Sequence, residues 1–357
     1  MIVLGSTGSI GINTLKIAEK FNLNIEVLVA GKNIKLLNQQ IKTFNPTLVI
    51  VATKDDISKI NHKNVKFGIE AILYSIENSK SNLIINALVG FFGLRPTLKA
   101  IECKKQVALA NKESLVVAGK FIDTSYITPI DSEHFGLWYL LDKNDKNINS
   151  LTITASGGSF RDYPLNKLKN VTIKEALNHP NWSMGSKITI DSATMTNKIF
   201  ELIEAKWLFG TTKCDAIIEP KSIIHAMVNF TDGSTTAHLA NTNMQLPISY
   251  AIMKKIEEQI LEPIDFLNLQ KLEFKEIETS RYNIWSIKDE LLNNSNLGVV
   301  LNCANEIGVD NFLKGKCNFL DIANLSIKAI NKFNNIKLQT TQDIFEIDKE
   351  VRRWCDG

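Results

Sequence analysis

The chain opens Met1-Ile2-Val3-Leu4-Gly5-Ser6-Thr7-Gly8-Ser9-Ile10-Gly11. A short apolar run enters a G-x-x-G-x-x-G stretch, and helical spacing follows over Ile12 to Phe21. Glycines so spaced let a chain leaving a strand turn tightly and approach a pyrophosphate. The helix behind them offers unpaired N–H groups and its positive dipole end to that anion. A glycine triplet alone is a weak signal. Its strand–turn–helix context is what supports a dinucleotide site.

Working outward, apolar runs at Ile2 to Leu4, Ile25 to Ala30, Leu48 to Ala52, Leu83 to Ala87 and Gln106 to Ala108 read as strands. Helical spacing at Ile34 to Phe44 and Leu94 to Lys104 alternates with them. Such alternation predicts an α/β fold whose N-terminal part, residues 1–122, is a Rossmann-like doubly wound domain. The second strand ends at Val29-Ala30, before Gly31-Lys32-Asn33. An acid near this point would bind a ribose 2′-hydroxyl; Lys32 suits a 2′-phosphate instead, favouring NADPH over NADH. The plainer reading makes Lys32 a solvated loop residue.

From Tyr126 the texture changes. Leu151 to Thr154, Lys187 to Ile190, Ala216 to Ile218 and Thr235 to Leu239 read as short strands with polar connections. They predict an α+β domain over 123–255, then a connector over 256–284 with weak periodicity. A helical domain is expected over 285–357.

Composition excludes several classes. At 357 residues the chain is long for one core. A net charge of +3 without a dense basic run gives no reason to expect nucleic acid. No apolar run approaches the roughly 18 residues of a membrane span. The N-terminus lacks a basic n-region and a long apolar segment, so a cytoplasmic protein without a leader is expected. Five widely spaced cysteines without C-x-x-C argue against a disulfide framework or a zinc site. Asn302-Cys303 resembles the nucleophile of an aldehyde dehydrogenase, but it lies inside the helical pattern Leu297 to Phe312, where a packed cysteine is expected.

The acids are more informative. In an extended segment, Asp131 and Glu133 point to one side. Asn197, Glu201 and Glu204, spaced i, i+4 and i+7 on a helix expected to begin near Ala193, share one face. Alone, such acids form a solvated face. If the two segments meet, Asp131, Glu133 and Glu201 make an oxygen-only site for Mg²⁺ or Mn²⁺. Ala155-Ser156-Gly157-Gly158-Ser159 follows a strand and can present N–H groups and hydroxyls to a phosphate, with Ser192, Asn197 and Lys198 adding polar and positive groups. His179-Pro180-Asn181-Trp182-Ser183-Met184-Gly185 reads as a lid loop, taken over 179–187; its indole otherwise packs beneath the loop.

Several of these stretches, in order, resemble the 1-deoxy-D-xylulose-5-phosphate reductoisomerases. They are Gly5 to Gly11, Ala110-Asn111-Lys112-Glu113-Ser114-Leu115, Pro129-Ile130-Asp131-Ser132-Glu133-His134, His179 to Gly185, Asp191-Ser192-Ala193-Thr194-Met195, Asn197-Lys198, Glu201 to Ala205 and Ser222-Ile223-Ile224-His225. The resemblance implies conversion of 1-deoxy-D-xylulose 5-phosphate to 2-C-methyl-D-erythritol 4-phosphate, using NADPH and a divalent metal (Mg²⁺, Mn²⁺ or Co²⁺). It implies Asp131, Glu133 and Glu201 as metal ligands and Lys112 beside them as a catalytic group. Ser132, Ser156, His179, Ser192, Asn197 and Lys198 would hold the sugar phosphate, with Trp182 and Met184 on the lid. Thr7, Gly8, Ser9, Ile10, Gly31, Lys32, Asn33, Asn111, Glu113 and Gly185 would face NADPH. A homodimer is also implied. Three positions depart from the family pattern: Glu219 replaces a frequent His before Pro220, Ser159 a common Pro, and Lys206 a common Arg. Two rival readings remain at this point: a metal-independent NADP dehydrogenase and a nucleotide sensor without catalysis.

Overall fold

The computed structural model describes residues 1–142 and 147–357. Contacts divide the chain into two units. One comprises Met1–Ser114, Ile122–Ser132 and Asn243–Glu262; the other comprises Leu115–Phe121, Glu133–Thr242 and Pro263–Gly357.

The first unit is built on a parallel sheet of strands β1 (Ile2–Leu4), β2 (Val27–Val29), β3 (Leu48–Val51), β4 (Val65–Phe67), β5 (Leu83–Asn86), β6 (Gln106–Leu109) and β7 (Ile127–Pro129). Helices α1 (Ser9–Lys20), α2 (Ile34–Phe44), α3 (Gly68–Asn78) and α4 (Leu94–Glu102) alternate with the strands, and the chain of α5 (Lys112–Ala118) begins in the first unit and ends in the second. Ile2, Val3 and Leu4 are all fully buried. Burial on both faces is why these strands read as unbroken apolar runs rather than alternating ones. Val3, Leu28, Val49 and Ile85 pack with Leu15 and Ile17 of α1 and with Leu37 and Ile41 of α2. Each such side chain contributes about 1.5–3 kcal/mol of burial.

The strand order is β4-β3-β2-β1-β5-β6-β7. Ile2 pairs with Val27 on one side and with Ile84 on the other. The order therefore reverses at β1, and the glycine loop leaves the carboxyl end of that strand, where open α/β sheets bind ligands.

Two features move the boundary expected at residue 122. β7 continues the first sheet because its backbone pairs with β6, Val107 opposite Ile127. After the second sheet the chain returns as α10 (Gln245–Met253), which buries Ile248 and Ala251 in the first core.

The second unit holds a four-stranded sheet of order β11-β10-β8-β9, from β8 (Ile148–Ala155), β9 (Cys214–Ile218), β10 (Ile224–Phe230) and β11 (Thr235–Leu239). Its helices are α6 (Ser132–Asp142), which starts at the junction of the units, α7 (Ile173–Ala176), α8 (Ser186–Thr194), α9 (Thr196–Phe209), α11 (Phe266–Leu269), α12 (Lys288–Asn293), α13 (Gly298–Leu313), α14 (Phe319–Lys332) and α15 (Thr341–Asp356).

Lys187 to Ile190, expected as a strand, lies in α8. Its β-branched residues misled the reading, while Ile190, Ala193 and Thr194 bury at helical spacing. The helix expected from Ala193 starts at Thr196, because Met195 adopts φ 72° and separates α8 from α9. Asp131 and Glu133 do not share an extended segment, since Glu133 lies in the first turn of α6.

The helical region expected after 285 is present, and it packs on α8 of the same unit. Asn305 of α13 donates to Asp191 of α8 at 2.7 Å, and Val309 and Phe312 join Ile190 and Phe160 in one cluster. The connector is also tied down: Lys275 bridges Ile218, Arg281 donates to the Phe160 and Tyr163 carbonyls, and the Tyr282 hydroxyl donates to Gly157 O. Cys303 is fully buried in α13, and burial raises its thiol pKa, so it is no nucleophile. Among the described residues, no helix is long and apolar enough to cross a membrane.

Candidate active site

In the first unit, Gly5 and Ser6 both donate to Val29 O, which holds the loop across the ends of β1 and β2. Gly8 caps α1 with extended backbone, leaving Thr7, Gly8, Ser9 and Ile10 at least partly exposed. A Cβ on Gly11 would lie 2.3 Å from Gly5 O, so only glycine lets the helix approach the strand this closely. Gly31, Lys32 and Asn33 are exposed beyond β2, and Asn33 Oδ1 caps α2 by accepting from Leu36 N at 3.1 Å. Asn111 is buried. Its amide donates to the Leu88 and Gly90 carbonyls at 2.9 Å and to Glu113 at 3.0 Å, so it fixes the Leu88–Gly90 turn. Gly185 is exposed in the second unit as the N-cap of α8.

Lys112 Nζ donates to Asp131 Oδ2 at 2.6 Å, and both side chains are largely buried. Two residues further on, Glu133 enters α6. Lys198 of α9 donates to Glu133 Oε1 at 3.0 Å and also to Glu201 Oε2. Asn197 Nδ2 donates to Glu201 Oε1 at 2.5 Å. One carboxylate oxygen from each of Asp131, Glu133 and Glu201 lies within 4.8 Å of the others. Glu204 stands apart from this trio: its Oε2 lies 3.1 Å from His134 Nδ1, and His134 Nε2 pairs with Glu201 O at 2.8 Å.

The fit to a hard cation is good. All three donors are carboxylate oxygens, and octahedral bonds of about 2.1 Å put opposite ligands about 4.2 Å apart. The observed spread needs only small adjustments to reach that.

A second cluster surrounds Ser156 after β8. Ser156 Oγ lies 2.9 Å from His179 Nε2 and 3.5 Å from Ser192 Oγ, and it accepts from Gly158 N at 3.1 Å. A Cβ on Gly158 would meet Ala193 Cα at 2.6 Å, so glycine is what brings this turn against α8. His179 Nε2 is also 3.2 Å from Ser192 Oγ. Its Nδ1 accepts from Asn181 N at 3.2 Å and Trp182 N at 3.0 Å. An accepting Nδ1 places the ring proton on Nε2, which then donates to the two hydroxyls. Burial, with a smaller push from Arg161, lowers the His179 pKa to about 4, so the ring is neutral at pH 7. Trp182 is half-buried, its ring 6.2 Å from that of His225. Met184 is also partly buried, and Ser132 begins α6 beside Glu133.

Sequence reasoning missed Arg161, whose guanidinium donates to Ser156 O at 2.8 Å and Pro220 O at 3.0 Å. An arginine three residues after a glycine pair beside a candidate phosphate loop was the available signal. It also gave Asn181 and Ser222 no individual role, although Asn181 Nδ2 donates to Ser222 Oγ at 2.7 Å. Two departures from the family pattern find partners. Ser159 donates to Ala176 O at 2.8 Å, and Lys206 donates to Leu292 O and Ser295 Oγ.

Known proteins share this design. Residues 1–119 match the family model described as 1-deoxy-D-xylulose 5-phosphate reductoisomerase. Residues 127–209 and 239–354 match the two C-terminal domain models of the same enzymes. A 1-deoxy-D-xylulose 5-phosphate reductoisomerase of Nautilia profundicola is 58% identical over 100% of this chain and 99% of its own length. That of Helicobacter pylori strain 26695 is 49% identical over 99% and 98%. Among solved structures, a DOX-P reductoisomerase in complex with NADPH, fosmidomycin and magnesium superposes with a TM-score of 0.93 at 31% identity, covering 99% of this chain and 97% of that one. The Zymomonas mobilis enzyme with NADPH gives 0.88 at 33% identity, with the same coverage. With full-length identity of this order and all three domain models in register, the chain belongs to the 1-deoxy-D-xylulose 5-phosphate reductoisomerase family.

Proposed function

We propose that this chain converts 1-deoxy-D-xylulose 5-phosphate to 2-C-methyl-D-erythritol 4-phosphate, with NADPH and a divalent cation. The observation that carries the reading is the convergence of Asp131, Glu133 and Glu201 within 4.8 Å. A simple dehydrogenase has no use for three such carboxylates.

Asp131, Glu133 and Glu201 would hold the cation. Once bound, it supplies Lewis acidity to the ketone and a neighbouring hydroxyl while NADPH supplies the reducing equivalents. Lys112 aims the carboxylate of Asp131, and Lys198 does the same for those of Glu133 and Glu201. Asn197 fixes the rotamer of Glu201.

Ser156, Ser192 and neutral His179 bind the phosphate end as hydrogen-bond donors. Phosphate binding, remote from the breaking bond, orders the reactive end. Trp182 and Met184 on the 179–187 loop cover the substrate and exclude water. Gly5 to Gly11 receive the pyrophosphate and Lys32 the 2′-phosphate. Gly31, Asn33, Glu113 and Gly185 complete the cofactor contacts, and Asn111 shapes the turn beside them. The reading extends to a cytoplasmic homodimer, as family membership implies; light scattering on the purified chain reports the assembly.

The test follows NADPH absorbance with protein, Mg²⁺ and 1-deoxy-D-xylulose 5-phosphate, with and without EDTA. Oxidation requiring both substrate and metal is expected. Oxidation indifferent to EDTA would favour a metal-independent dehydrogenase. No oxidation by folded, NADPH-binding protein would favour a sensor.

A further inference from the structure

Glu219 is fully buried, and among the described residues no lysine or arginine side chain bonds to it. Its carboxylate instead accepts backbone N–H groups from its own loop: Lys221 N at 2.8 Å on Oε1, then Ile223 N at 2.7 Å and Ile224 N at 3.3 Å on Oε2. The Glu219 N–H donates to Ala155 O at 2.9 Å, and its carbonyl accepts from Ser222 N at 3.1 Å. Ser222 adopts φ 56°, a left-handed conformation uncommon for a residue other than glycine. A buried carboxylate is costly unless its lone pairs are met, and convergent N–H dipoles meet them here. The side chain therefore dictates the shape of residues 219–224.

That loop faces the lid. Pro220 O accepts from Asn181 Nδ2 at 2.8 Å and from Arg161 at 3.0 Å, and Ser222 Oγ accepts from Asn181 Nδ2 at 2.7 Å. Asn181 N in turn donates to His179 Nδ1, and His179 Nε2 reaches Ser156 and Ser192. We propose that Glu219 is a positioning residue for phosphate recognition: it moulds the loop that anchors Asn181, and through Asn181 it sets the ring of His179 against the two serines. The inference rests on the assignment of Ser156, Ser192 and His179 to the sugar phosphate. It gives a role to the departure at Glu219, since a histidine there could not accept three N–H groups at once.

The test is a double-mutant cycle of Glu219→Gln and Asn181→Ala. It reads KM for 1-deoxy-D-xylulose 5-phosphate, KM for NADPH, kcat, and competitive inhibition by inorganic phosphate. Expected is a rise of about tenfold in sugar-phosphate KM and in the phosphate Ki for each single variant, with KM for NADPH unchanged. The double variant should be little worse than either single one, because both break the same chain of contacts. Multiplying effects, or an unchanged phosphate Ki in Glu219→Gln, would overturn the proposal. Should Glu219→Gln not fold, Ser222→Ala removes one anchor of Asn181 and leaves the bonds of Glu219 in place. It should raise the phosphate Ki non-additively with Asn181→Ala, and additivity overturns the proposal equally. Wild-type protein that fails to oxidise NADPH with substrate counts against the function, and multiplying effects in active protein count against Glu219 alone.

Discussion

Lys198 Nζ of α9 sits 3.0 Å from Glu133 Oε1, tying the first turn of α6 to α9. The same ammonium bonds Glu201, so one cation organises two of the three proposed metal ligands. Three carboxylates against Lys112 and Lys198 leave a net charge near −1 before any ion binds. A divalent cation is the counter-charge this arrangement favours.

Glu201→Gln should therefore cut turnover by two orders of magnitude or more, since loss of outer partners alone costs about 10–100-fold at metal sites. NADPH affinity, followed by fluorescence titration, should stay within about twofold. Near-normal turnover would remove Glu201 from the ligand set.

Lys32 is exposed just beyond β2. Reversing its charge by Lys32→Asp should narrow the preference for NADPH over NADH by about tenfold, from lost attraction and new repulsion at a 2′-phosphate. The ratio of kcat/KM for the two cofactors measures this. An unchanged ratio means that another group reads the phosphate.

Gly11→Ala forces a Cβ to within 2.3 Å of Gly5 O and 2.5 Å of Ser6 Cα. Both neighbours are backbone, so relief requires α1 to move off β1. A loss of about 2–3 kcal/mol in unfolding free energy is expected, with NADPH affinity falling alongside. Thermal melts with and without NADPH separate the two effects. Retained cofactor stabilisation would count against a pyrophosphate at this loop.

The doubly wound sheet was legible because its strands are buried on both faces, so each prints as an apolar run between helical patterns. β7 and α10 were not, because their membership of the first unit depends on pairing with β6 and packing against α1, partners far off in sequence. Lys187 to Ile190 misread for a local reason: Ile188, Thr189 and Ile190 carry strand propensity, and tertiary packing of Ile190 and Ala193 overrides it. The acids of the site were visible as residues but not as a meeting point, since Glu133 and Glu201 come together only through α6 and α9. The chain from Glu219 to His179 was not legible at all. Most of its links are backbone N–H groups and carbonyls, which every sequence contains.

His179 gives a pH prediction whose sign follows from its environment. Burial lowers the folded-state pKa to about 4, against about 6.5 when unfolded. Between those values the unfolded chain binds the extra proton, so this group's contribution to stability is complete above pH 6.5 and is lost as pH falls towards 4. Protonation would also take Nδ1 away as acceptor for Asn181 N and Trp182 N, releasing the lid from its anchor. His238, likewise depressed to about 4 by burial, contributes in the same direction and window. Wild type must therefore be compared with His179→Gln, which removes one titration and leaves the other. Denaturant melts at pH 7 and pH 5 should show the wild type losing more stability than the variant over that interval. Equal losses would mean that the His179 ring is not held neutral in the folded chain.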